Sequence, residues 1–178
     1  GLLQRIRAEA RRRVQQALPT ASSSTTVRPL PDLTWMTDAD LKAILEERWK
    51  EADAAQRAGA PLATIILLGS ILEGALLHKA ESNPAKANSA ASAPKETDTS
   101  GTLKVKRFPF WTLDNLLTVA HEVGWLGREV KDFSVVLRMY RNFVHPGEQK
   151  RQGITPSSGI CDVCWPVVTA ALTDLARP

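Results

Sequence analysis

Three residues of this 178-residue chain have the types and spacing to act on a phosphodiester: Arg138, Arg141 and His145, in the run LRMYRNFVHP. If that run is helical, Arg138 and His145 stand seven residues apart and, at 100° per residue, about 20° from each other on one face. Arg141, four residues before His145, lies between them as a near neighbour. Two guanidinium forks can hold a phosphate and stabilise charge that develops on it, and an imidazole titrating near neutral pH can move protons. RNA carries its own nucleophile in the 2′-OH, so such a stripe could cleave it by assisting internal attack, with no metal. At the C-terminal end of a helix, His145 would also be favoured in its protonated form by the dipole. A structural reading of the same residues stands beside this one: both arginines could pair with carboxylates while His145 closes a helix before Pro146.

The elements that must position these residues are helices. The spacing predicts a helix over about 128–145 with Val130, Phe133, Val136, Leu137, Tyr140 and Val144 towards the core, ended by Pro146 and Gly147. A first core helix is expected from Thr37 as N-cap, with Leu41, Ile44, Leu45, Trp49 and Ala52 on its apolar side and Gly59 as its stop. Pro61 opens the next, where a missing N–H costs nothing. Its run LATIILLGSILEGALL is apolar on nearly every face, which assigns it to the centre of a bundle, with Gly69, Ser70 and Gly74 allowing close approach of neighbouring backbones. Glu73 interrupts that run. A carboxylate there needs a partner, and an arginine of the RMYRNFVHP helix is the natural one, as a structural ion pair or as support for a site. Thr112 caps a helix that ends at Gly124, Trp125 and Leu126 fold back as an apolar plug, and a last helix carries Ile160, Val163, Cys164, Val167, Val168, Ala171, Leu172 and Leu175 around a kink at Pro166. No segment reads as a convincing strand. The fold class is all-α, a bundle of four to five helices.

Outside the bundle the reading is of connections. Residues 2–18 form a basic amphipathic helix, an appendage or the tail of a preceding domain. Residues 19–36 are a Pro/Ser/Thr-rich linker, residues 37–178 the bundle, and about 82–107 an insertion expected to be disordered. The net charge of +4 is local: residues 1–36 hold six arginines against Glu9 and Asp32, and the remainder is balanced at 17 basic and 17 acidic groups. The globular part is therefore not a polycation. The first helix could touch an anionic surface, but packing of its apolar stripe on a partner is the preferred reading.

The helix pair LGSILEGALL and LRMYRNFVHP resembles the HEPN superfamily over roughly residues 40–80 and 112–175. The resemblance implies a compact helical bundle of a toxin or anti-phage defence system, acting as a metal-independent endoribonuclease without cofactor. It implies a site formed across a homodimer from an arginine, four to six intervening residues and a histidine. Carried over by residue, Arg138 and His145 fit at the long limit, with Met139 in place of the usual polar residue. Asn142 supplies that polar residue after Arg141, but only three residues then separate Arg141 from His145. Tyr140 and Glu73 complete the supporting set. RNA would be the substrate, an antitoxin or a larger effector protein the partner. A non-catalytic dimerisation or interaction module is the alternative.

Other chemistries are weaker. Cys161 and Cys164 are half of a four-thiolate zinc site, and Cys164 falls on the apolar stripe of its helix, so both read as structural thiols, with no metal bound. His78 and His121 read as helix-boundary residues. The five tryptophans read chiefly as core and rim anchors. Lys104, Lys106, Arg107, Lys150 and Arg151 flank the proposed site in loops, solvated or guiding RNA. No glycine-rich phosphate loop, nucleophile elbow or HExxH sequence is present. Without 18 uninterrupted apolar residues or a secretory leader, a cytoplasmic location with no membrane contact is expected.

Overall fold

The computed structural model describes residues 27–177. The expected basic helix at 2–18 and the first part of the linker lie outside the described residues. Among the described residues seven α-helices follow in order: α1 Ala39–Arg57, α2 Pro61–Ser82, α3 Pro84–Ser89, α4 Leu113–Glu122, α5 Arg128–Arg141, α6 Pro146–Gln152 and α7 Ser158–Leu175. Between α3 and α4 lie strands β1 Lys95–Thr97 and β2 Leu103–Val105 and a 3-10 turn, Phe108–Phe110. A second 3-10 turn, Asn142–Val144, joins α5 to α6. The all-α class holds.

Helix α2 is the axis of the bundle. It packs against α1, α4, α5 and α7, and Ile65, Leu68, Ile71, Leu72 and Ala75 are fully removed from solvent. By length and mean hydropathy, 22 residues and 1.6, it would also pass for a membrane span, but half of that stretch is buried under its neighbours. Pro61 opens it, as the sequence implies, after a turn in which Gly59 adopts φ +72°. Gly74 explains the tight seat of α1: a Cβ there would come within 3.0 Å of Leu45 Cδ2. On α1 the buried stripe is Leu45, Trp49, Ala52 and Asp53. Ile44, expected on that stripe, is 49% exposed. It stands about 100° behind Leu45 and about 140° from Trp49, off the buried sector. The N-cap is Asp38, accepting from the Leu41 N–H at 2.9 Å, one residue beyond the predicted Thr37.

Helices α4 and α5 pack against each other. Thr112 and Asn115 make the reciprocal capping box at the start of α4. Gly124, at φ +80°, reverses the chain, and the N–H groups of Trp125 and Leu126 both return to Ala120 O, burying both side chains as the expected plug. Helix α7 runs alongside α2, tied at one end by Cys161 Sγ to Pro61 O at 3.6 Å. At the other, Lys79 Nζ donates to the carbonyls of Leu175 and Arg177 at 2.9 Å each. Burial pushes the Lys79 ammonium below its ordinary pKa, helped by nearby Lys86.

Two stretches predicted to be loose are built into the fold. Residues 27–36, the described part of the linker, form a strap: Leu33 and Met36 are buried, Trp49 Nε1 donates to Pro29 O at 2.9 Å, and the Arg28 guanidinium lies 4.5 Å from the Trp165 ring centroid. Composition misleads because a few anchors per turn of chain suffice once a wall exists to receive them. The stretch at about 82–107, expected to be disordered and strandless, carries α3 and an antiparallel hairpin with Lys95 opposite Val105 and Thr97 opposite Leu103. Ala87, Ala90 and Ala93 are buried, and Glu122 accepts from the N–H groups of Ala91 and Ser92 and from the Ser92 hydroxyl. Those bonds hold the Glu122 carboxyl below its ordinary pKa. Small alanines give no apolar period, yet they bury well.

Candidate active site

Helix α5 ends at Arg141, not at His145. Asn142–Val144 tighten into a 3-10 turn, which rotates about 120° per residue where an α-helix rotates about 100°. His145 itself is extended, φ −96° and ψ 109°, and forms the N-cap of α6, with Pro146 as its first residue. The predicted common face of Arg138 and His145 is therefore lost. Two side chains register the same phase change: Phe143 is 1% exposed and fills the core, while Val144, predicted to face inward, is 52% exposed. The expectation that His145 would profit from a helix C-terminus falls with it, since the residue opens a helix. Pro146 starts that helix instead of ending the previous one.

Arg138 points to another partner. Its guanidinium forms an ion pair with Asp114 in the first turn of α4, with side chains 30% and 56% exposed. The structural alternative raised for the arginines thus applies to Arg138. The side chains of Tyr140 and Arg141 lie outside the described residues, so of the arginines expected to pair with Glu73, half-buried on α2, only Arg138 is described, and it pairs with Asp114.

His145 and Asn142 are brought together. Both are exposed and line an open cleft of about 420 Å³ with Gly147, Glu148 and Arg151. Gly147, Glu148 and Arg151 belong to one face of α6 at the three- and four-residue spacing of a helix, and His145 and Asn142 close the cleft on the chain that enters it. The His145 backbone closes the turn, its N–H donating to Asn142 O at 3.1 Å and its carbonyl accepting from Glu148 N at 2.9 Å. The imidazole makes no side-chain capping bond and stays open to the cleft. The Glu148 carboxylate accepts from Gln152 Nε2 at 2.8 Å and pairs with the Arg151 guanidinium. Polar groups that could bind an anion and pass a proton therefore share one surface: one imidazole, one guanidinium, one amide and one carboxylate.

Glu148 was missed in the sequence, and Arg151 was placed in a flanking loop. The signal was present in PGEQKRQG: proline at the first position, an acid in the first turn, bases in the last, and Gly153 in the left-handed conformation at φ +62° after it.

The remaining candidates are structural. Cys161 and Cys164 are 0% and 1% exposed, and burial pushes their thiols up to about 11 and about 12. His78, expected at a helix boundary, is buried, its Nε2 accepting from the Thr37 N–H at 3.2 Å with Trp35 stacked at a tilt 5.8 Å away. Accepting there places the proton of the neutral ring on Nδ1. His121 Nδ1 bonds to Leu126 O at 3.2 Å. Among the described residues no group of three or more His, Cys, Asp or Glu side chains could hold a metal ion. No protein-family model, curated protein or solved structure matches this chain.

Proposed function

We propose that this chain is a HEPN-like domain, homodimeric and cytoplasmic, acting as a metal-independent endoribonuclease of a toxin or defence system. The observation that carries the reading is the exposed His145 in an open polar cleft shared with Asn142 and an arginine. Catalysis requires an imidazole that solvent and substrate can reach, with a cation beside it for the phosphate. In the proposed step the 2′-oxygen attacks phosphorus, the bond to the 5′-oxygen breaks, and a 2′,3′-cyclic phosphate and a 5′-hydroxyl result. His145 accepts the 2′ proton or, charged, delivers one to the leaving oxygen, and solvent completes the exchange. The test is cleavage of structured and single-stranded RNA in EDTA by the wild type and by His145→Ala, matched for fold and oligomeric state. Activity lost with His145 is the expected result; a wild type that cuts none of these RNAs ends the reading.

A second reading has its own support. The pairing of Arg138 with Asp114 spends the arginine that the motif would use, as expected of a non-catalytic helical module that serves a larger effector. Such a module would leave RNA intact and bind a protein partner.

A further inference from the structure

We propose that Arg151, and not Arg138, is the guanidinium that holds a phosphodiester in the cleft beside His145. This rests on the ribonuclease reading for the identity of the ligand, a single-stranded RNA backbone, and departs from it in the residue that binds.

The argument is one of placement. Arg138 is bound to Asp114 on α4 and does not line the cleft, whereas Arg151 lines it together with His145 and Asn142. The exchange follows from the chain turn: the 3-10 segment and the extended His145 swing the polypeptide away from the α5 axis, and α6 brings a new face against His145. Arg151 is 74% exposed, and among the described residues that line the cleft the carboxylate it pairs with is Glu148, three residues back on the same helix. With the guanidinium end in solvent and the Glu148 side chain 21% exposed, a single pair at that spacing contributes little to stability, so a phosphate oxygen can replace the carboxylate without a large cost. A guanidinium has five donors in a fork suited to phosphate, and those that Glu148 leaves remain available. Gln152 also donates to Glu148 and holds the carboxylate when Arg151 turns to a ligand. Asn142 supplies neutral donors opposite, and His145 is left for proton transfer.

The experiment separates binding from cleavage. A fluorescent single-stranded oligoribonucleotide with every 2′-OH methylated cannot undergo internal attack and reports binding alone, by anisotropy against salt in EDTA. Arg151→Ala is expected to weaken binding about tenfold or more and to reduce the salt slope by about 0.7, the contribution of one phosphate contact to a single strand. Arg151→Lys is expected to recover part of the loss, and Glu148→Gln to tighten binding by removing the competing charge. Arg138→Ala is expected to change it little. Wild-type binding that Arg151→Ala leaves unaltered, or a wild type that does not bind the probe, overturns the proposal. Arg151 is 74% exposed, so its substitution leaves the core untouched, and circular dichroism with the Lys variant checks the fold. Cleavage of ordinary RNA is scored separately. Binding through Arg151 with no cleavage ends the ribonuclease reading and leaves this site standing. Cleavage that depends on His145, with binding and KM indifferent to Arg151, does the reverse.

Discussion

The α1–α2–α7 half of the molecule and the corner formed by α5, the 3-10 turn and α6 are held together in different ways. In the first, apolar side chains at helical period meet across long helices, and residues such as Ile65, Leu68, Leu72, Val168 and Ala171 are wholly buried. Their contribution scales with area removed from water, roughly 25 cal/mol per Å². In the second, Leu137 and Phe143 anchor the corner to the core, and partly exposed polar groups beside them meet through single ion pairs: Arg138 with Asp114, Arg151 with Glu148. The first region can tolerate little change in shape, and the second can exchange partners at small cost. That difference is what a binding surface mounted on a rigid scaffold requires.

The contrast can be tested from its strongest side. Leu72→Ala, at a fully buried position of α2, is expected to cost about 2–5 kcal/mol in chemical denaturation. A cost under 1 kcal/mol would mean that the α2 axis is not the organising core. Asp53→Ala comes next. This buried carboxylate faces Arg57 at 3.1 Å and Arg28 at 3.8 Å, guanidinium groups 43% and 35% exposed. Removing it is expected to cost roughly 1–3 kcal/mol, the partial exposure of its partners keeping it below a fully buried pair. Because Arg28 belongs to the strap, protease susceptibility of residues 27–36 should rise with it.

Thr112→Ala removes the hydroxyl that accepts from the Asn115 N–H, leaving the backbone half of the capping box, and is expected to cost about 1 kcal/mol of stability. Asp114→Asn, in the polar corner, is expected to change stability by no more than about 1 kcal/mol, because the carboxylate it neutralises is 56% exposed and its partner Arg138 30% exposed. A loss comparable with Leu72→Ala would remove the distinction between the regions. The thiols contribute nothing to pH dependence near neutrality. Their folded pKa values lie above the unfolded one, so the stability they contribute is fully present below about pH 8.5 and is lost as pH rises towards 11–12. Iodoacetamide should accordingly modify Cys161 and Cys164 only in step with unfolding at pH 8; rapid labelling of the native protein would contradict their burial.

Helices with a sustained apolar period were legible in the sequence, and so were Thr112, Gly59, Pro61 and Gly124 as their punctuation. Each of these is a local property: a helix repeats every 3.6 residues, a cap satisfies orphan N–H groups, and a glycine takes a positive φ wherever the chain must reverse. The hairpin and α3 were not legible, since three-residue strands and alanine-rich turns carry no period to detect. The candidate site was legible in part. His145 and Asn142 were identified and do share a cleft, but the arginine beside them is one the helical spacing could not nominate.

By itself the sequence determined that this protein is helical with LATIILLGSILEGALL as its most apolar segment, because a helix apolar on nearly every face must leave water, and the amphipathic helices around it offer the faces to cover it. Only the tertiary structure decided which polar groups meet. Three residues of 3-10 turn shift the phase of everything beyond Arg141, and the ion pair of Arg138 joins residues 24 positions apart in the chain. Interactions across such separations depend on how whole helices are placed against one another, and no local spacing records that.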